Sequence, residues 1–358
     1  MIESFCIFML LLIAKASADC QLNAEEISKT NRIFAYRSGS QLFPLRVDAV
    51  ATHQTLDMIC DSQNVVQTTC QAEGNFEPAL DALGDCSKPI KATVEEINDN
   101  TCSYTMYRVG YKMSNADFLE LYRSCYDTNH QAAHFVIHQT YPNNVGNRPD
   151  QAFTTDGVIS GAAGASFQAK NIYKRFEELL GPKQSYITSE RDLVFDRGHL
   201  APSADFGFEQ EMRATFKYIN AVPQFAGINR GNWKTLETWV RNELSNGDFA
   251  VLQICTGAFD VLQLADTSGQ LKAVYLFGTN GNPVPKWMYK TVSDGAGSSY
   301  AFLTYHNIYE EEKPTPICQE ISCPSSLSFN PAKESGFSFC CDYNDFIERN
   351  IPHLIDVC

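Results

Sequence analysis

The sequence is short of positive charge. Its 358 residues carry 28 Lys and Arg against 42 Asp and Glu, a formal net charge of −14, which argues against a protein that holds nucleic acid through a generally basic surface. No Asn-x-Ser/Thr triplet occurs, so N-glycosylation has no acceptor. Paired C-x2-C motifs for structural zinc are missing, and Cys318-x4-Cys323 stands alone. Internal repeats and low-complexity tracts are also missing. With 44% hydrophobic residues the chain is neither disordered nor collagen-like, and its length suits two domains.

Long apolar runs are scarce as well. The main one, Phe5 to Ala14, is too short to span a bilayer, which takes about 20 residues. It is followed by Ala16-Ser17-Ala18, a small-x-small site, so residues 1–18 read as a secretory signal peptide even though Met1 to Ser4 lack Lys or Arg. Cleavage after Ala18 removes Cys6 and leaves twelve cysteines, an even number. The expectation is a secreted, extracellular protein with up to six disulfides and no membrane contact after cleavage. Spacing alone does not fix the pairing, and nothing in the sequence speaks to oligomeric state.

Residues 19–102 hold five of the twelve cysteines among short alternating segments and read as a small disulfide-rich β module. From residue 103 longer elements appear: strands at Tyr104 to Met113 and His134 to Thr140, and a helix at Ala169 to Leu180 stopped by Gly181-Pro182. A strand at Asp192 to Phe195 runs into Asp196-Arg197-Gly198-His199. A helix from Asn229 to Leu244 puts Trp233, Leu236, Trp239, Val240 and Leu244 on one face, which marks them as core. Phe249 to Thr256, Ala273 to Gly278 and Trp287 to Val292 read as buried strands, and a Cys-rich tail, residues 318–358, ends in a helical segment. The fold class is α+β.

Hydrolysis of a phosphodiester needs a base for the attacking water and a cation for the charge on the phosphoryl and leaving oxygens. Histidine suits the first role, because its pKa of ~6.5 lies near working pH. A hard cation such as Mg2+ needs only one or two protein oxygens and keeps its waters. Both residue types occur together in DRGHLAPSADF (Asp196 to Phe206) and NAVPQFAGINRGNWKTLE (Asn220 to Glu237).

These two blocks resemble the signature of the DNA/RNA non-specific endonucleases, a family of ββα-metal (His-Me finger) nucleases. The resemblance implies a ββα-metal core with a mixed or antiparallel sheet over residues 103–358. It implies His199 as general base, Asn229 as ligand of one mostly water-coordinated Mg2+, for which Mn2+ or Ca2+ substitutes or assists, and Glu237 as a carboxylate acting through metal-bound water. Arg197 falls near the phosphate, and Asn220 and Gln224 match positions that support the site and contact substrate. Asn229 at the start of its helix would also favour phosphate through the helix N-terminus. The implied activity is hydrolysis of DNA, and of RNA, with little sequence preference and 5′-phosphate products. The family often carries an upstream phosphate-binding Arg; here the stretch reads HFVIHQTYPNNVGNRPD, with His138 or Arg148 as stand-ins. The tail, with vicinal Cys340-Cys341, resembles those of secreted arthropod-type members.

The competing expectation is a catalytically silent, Cys-rich extracellular binding protein on a nuclease scaffold. A third, zinc on His130, His134 and His138, needs a helix; the flanking Phe135-Val136-Ile137 indicate a strand, which sets His134 and His138 ~13 Å apart. The charge deficit is also uneven. Lys170 to Arg241 holds eleven basic and nine acidic residues, +2 against −16 for the remainder, so the signature segment is mildly basic and binding should weaken as salt rises.

Overall fold

The computed structural model describes residues 18–358 except 89, 114–116, 143–147 and 248. The expected signal peptide lies outside the described residues up to residue 17. The N-terminal module is a five-stranded sheet of Ile33–Ser38 (β1), Gln41–Pro44 (β2), Thr55–Asp61 (β3), Asn64–Cys70 (β4) and Phe76–Glu77 (β5), in the order β2-β1-β3-β4-β5. So small a sheet buries little apolar surface, and disulfides Cys20–Cys70 and Cys60–Cys86 staple it.

The larger sheet draws on the rest of the chain. In chain order its strands are Thr93–Ile97 (β6), Thr105–Lys112 (β7), Phe118–Asp127 (β8) and Ala132–Thr140 (β9). Between these and its later strands come helix Ala169–Leu180 (α1), strand Phe195–His199 (β10), helix Glu209–Ala214 (α2), strand Ala221–Phe225 (β11), and helices Ala226–Arg230 (α3) and Asn232–Ser245 (α4). The sheet resumes with Leu252–Val261 (β12), Pro285–Ser293 (β13), Ser299–Tyr305 (β14), Glu320–Ile321 (β15) and Phe337–Cys341 (β16), before helix Tyr343–Asn350 (α5). Its order is β15-β16-β14-β13-β12-β9-β8-β7-β6, antiparallel throughout. Strand β6, inside the range expected for the module, is thus an edge of this sheet.

Alternation along the strands gives the sheet two apolar faces. Val136, Met288, Val292 and Phe302 pack with Trp233, Leu236, Trp239, Val240 and Leu244 of α4, so the predicted helical stripe is core. Phe135, Trp287, Tyr289 and Leu303 face the other way, onto Phe346 and Ile347 of α5. The last residue is bridged to the central strand by Cys255–Cys358, and Cys102–Cys125 links the chain before β7 to β8. The vicinal pair divides, Cys341 going to Cys318 and Cys340 to Cys323. Together these make six bridges among the described residues.

The module is anchored at the segment that follows the DRGH strand. Phe208 stacks on Phe34, ring centroids 4.9 Å apart, and joins the module's own core. Arg46 lays its guanidinium 4.7 Å from the Phe206 ring and donates to the Gln139 carbonyl at 3.0 Å. Replacing a buried Phe by Ala costs about 3–5 kcal/mol. Phe208→Ala is therefore expected to lower the denaturation midpoint and expose the module to limited proteolysis; an unchanged midpoint and digest would contradict this anchoring.

Candidate functional site

The site is built on a two-stranded ribbon. Strand β10 contains the whole Asp196-Arg197-Gly198-His199 segment, three residues later than the expected strand, and pairs antiparallel with β11 so that Asp196 faces Gln224, Gly198 faces Val222 and His199 faces Ala221. Gly198 is there because of close approach: a Cβ at this position would lie 2.2 Å from Gln224 Oε1 and 2.5 Å from its Cβ. Gln224 is fully buried and its amide has no hydrogen-bond partner. Asn220, also fully buried, accepts from Ala201 N–H at 2.8 Å and donates to the carbonyls of Ala201 and Thr215, each at 2.9 Å. All its polar atoms thus go to fixing the turn that follows His199.

Two groups converge on the ribbon. On one side the His199 ring packs between Phe153 and Phe216, centroids at 5.0 and 4.9 Å. The Arg197 guanidinium lies 5.6 Å from the Phe153 ring and 5.8 Å from that of Tyr218, and Arg148 lies 5.3 Å from Phe216. An aromatic floor therefore carries one imidazole and two guanidiniums. Of the two upstream stand-ins, Arg148 is exposed and close enough for its charge to act on His199. His138 is 2% exposed and gives its Nε2 to Asp205 at 2.9 Å.

On the other side Asp196 ties β10 to α3. Its carboxylate accepts from Asn229 Nδ2 at 2.9 Å and from Arg230 Nε and Nη2 at 3.0 and 2.7 Å. A carboxylate can only accept, so the Asn229 amino group faces Asp196 and Oδ1 is left for a cation. The expected helix start needs correction. Asn229 lies near the end of the five-residue α3, Gly231 breaks the path at φ −98° and ψ −119°, and the long helix begins at Asn232. The unpaired N–H groups of a helix N-terminus are not at Asn229, and its amide is spent on Asp196 rather than on a cap.

Glu237 is the sixth residue of α4 and is half-buried. Burial raises its carboxyl to about 7, opposed by the charges of Lys290 and Arg241. Beneath it sits a charged cluster. Lys290, 1% exposed, donates to Thr256 Oγ1 at 2.6 Å, and Arg241 donates to Asp205 at 3.0 Å. Burial works to raise the Asp205 carboxyl, but the His138 hydrogen bond and the cations around it hold it below the usual range.

The sequence model of the family described as DNA/RNA non-specific endonuclease matches residues 102–346. The chain belongs to that family. Among its relatives, a salivary endonuclease of Lutzomyia longipalpis is 28% identical over 308 residues, covering 83% of this chain and 73% of that protein. Salivary protein Tsal2A of Glossina morsitans morsitans is 24% identical over 303 residues, 79% and 75% of the two chains. Human mitochondrial endonuclease G is 27% identical over 192 residues, 52% and 57%.

This endonuclease family is metal-dependent, typically on Mg2+. The residues here fit such an ion: a neutral amide oxygen left free at Asn229, a carboxyl at Glu237 suited to act through bound water, and no soft ligand called for. The three histidines proposed for zinc go elsewhere. His130 meets Asp127 at 2.6 Å, His134, at a bulge in β9, stacks on Tyr104 at 4.1 Å, and His138 meets Asp205.

Several site residues escaped the sequence reading. Arg241 sits one turn beyond Glu237, and that i+4 spacing was available as a signal. Asp205 lay inside the DRGHLAPSADF block with no role read for it, and Lys290 had no signal, since only the fold brings β13 under α4.

His199 is 9% exposed and its Nε2 has no partner. Burial, helped by the Arg148 charge, lowers its pKa to about 3, and burial alone takes His306 to about 4. Both imidazoles stay neutral in the folded protein while an unfolded one protonates near ~6.5. Stability is therefore full above that pH and falls as pH drops from about 6.5 toward 3. In the metal-free protein the His199 ring should still be neutral at pH 5 by NMR titration; a midpoint near 6.5 would contradict its burial.

Proposed function

We propose that the protein is a secreted, Mg2+-dependent endonuclease that cuts DNA, and RNA, with little base preference and leaves 5′-phosphate ends. The observation that carries this reading is the unpartnered, neutral Nε2 of His199 on the same strand as Asp196, which orients the Asn229 amide. His199 accepts the proton of the attacking water through Nε2. Arg197 and Arg148, on either side of the imidazole, receive the phosphate oxygens, Arg148 taking the place of the upstream arginine of the family. Asn229 Oδ1 would hold the metal, and Glu237 would act on it through bound water. When bound, the ion offsets charge on the scissile phosphate and leaving oxygen.

Asn220 and Gln224 act from beneath, one fixing the turn after His199 and the other filling the space under Gly198. His138 acts through Asp205 rather than on substrate. Guanidinium contacts to phosphate carry no base information, which accounts for low specificity. Six disulfides suit an oxidising compartment, and relatives named as salivary proteins agree with export.

Plasmid nicking followed on a gel tests the reading. Chelation should abolish it, and His199→Ala should lower it by about 10²–10⁴-fold with the fold intact. Nicking that survives both would overturn the assignment. Retarded but uncut plasmid from the wild-type protein with Mg2+ present would favour the silent binding protein instead.

A further inference from the structure

Helix α3 has five residues, and a helix so short does not hold its own geometry in water. What fixes Asn229 must therefore lie outside it. Asp196, which accepts from both Asn229 and Arg230, supplies one side. The other is supplied by the Cys-rich tail, whose turn at Lys333–Ser335 packs on α3.

The contact is made at backbone distance. A Cβ on Gly227 would stand 2.4 Å from the Glu334 carbonyl oxygen, and one on Gly231 would stand 3.1 Å from Ser335 Cα. Gly336 comes equally near Ile228, 3.1 Å from where its own Cβ would be, and Ile228 is fully buried in the main core. Asn232, the first residue of α4 and 1% exposed, closes the junction. Its Nδ2 donates to the Asn330 carbonyl at 2.9 Å and the Gly336 carbonyl at 2.7 Å, and its Oδ1 accepts from Asn330 N–H at 2.8 Å. One side chain thus clasps both ends of the tail turn, and the residues in contact, Gly227, Ile228, Gly231 and Asn232, bracket Asn229. Cys323–Cys340 fixes the chain on either side of that turn.

We propose that the tail turn at residues 330–336 is a clamp that sets the α3–α4 elbow, with Asn232 as the positioning residue through which it controls metal affinity at Asn229. This rests on the reading of Asn229 as the metal ligand. The tail is then part of the site's machinery and not only a stabilising appendage. Asn232 touches neither metal nor substrate; it acts by holding Asn229 Oδ1 where a cation meets it.

Mn2+ binding to the full-length protein without substrate, measured by titration calorimetry, tests the clamp. Loss of a group that positions a metal ligand costs about 10- to 100-fold in affinity, and Asn232→Ala is expected to weaken Mn2+ by that factor while circular dichroism and the His199 NMR signal stay as in the wild type. Joint replacement Cys323→Ala and Cys340→Ala leaves Asn232 in place and should weaken Mn2+ in the same direction; it decides the matter if Asn232→Ala does not fold. Joint replacement Cys102→Ala and Cys125→Ala, remote from the elbow, should leave affinity unchanged. Folded clamp variants that bind as tightly as the wild type overturn the clamp alone. Wild-type protein that binds no Mn2+, or Asn229→Ala that binds undiminished, overturns the reading of Asn229 and the clamp with it.

Discussion

The site depends on one carboxylate. Asp196 stands on the strand that ends in His199 and holds Asn229 and Arg230 of α3 by three hydrogen bonds of 2.7–3.0 Å. Two of these come from a guanidinium in a forked arrangement, the strongest geometry available to a carboxylate. Without that tie, the proposed base and the proposed metal ligand would sit on separate elements with no shared reference. With it, the amide of Asn229 can point only one way.

The elements around this tie act as supports. The aromatic floor of Phe153, Phe216 and Tyr218 keeps water from most of the His199 ring and leaves it neutral, and the guanidiniums over the same floor raise the local positive charge where a phosphate would arrive. Below, burial lowers the pKa of the Lys290 ammonium, and the facing carboxyls of Glu237 and Asp205 oppose that shift. At the outer end the N-terminal module grips Phe206 and Phe208, so the segment leaving His199 is held at a second point. An acidic chain can in this way present a locally basic working face.

Much of this was legible in the sequence, and for identifiable reasons. Trp233, Leu236, Trp239, Val240 and Leu244 announced their buried face by helical spacing, and all five are core. The even cysteine count announced disulfides, though not that neighbouring Cys340 and Cys341 would diverge to different partners. The break at Gly231 was hidden, because the tail turn that packs against it lies about a hundred residues further along and helical periodicity runs on across the join. His138 had the right residue type in the expected stretch, yet the inward face of β9 commits it to Asp205. Arg148, the other stand-in, had no motif to favour it; the structure sets it by Phe216 on the His199 side.

The central claim is a division of labour: Asn229 holds the cation, and His199 stays off it as the base. Anomalous diffraction from crystals grown with Mn2+ separates these roles directly. The account predicts a single site peak whose protein ligand is Asn229 Oδ1, with His199 Nε2 uncoordinated. A peak coordinated by His199, or one that avoids Asn229, would contradict it.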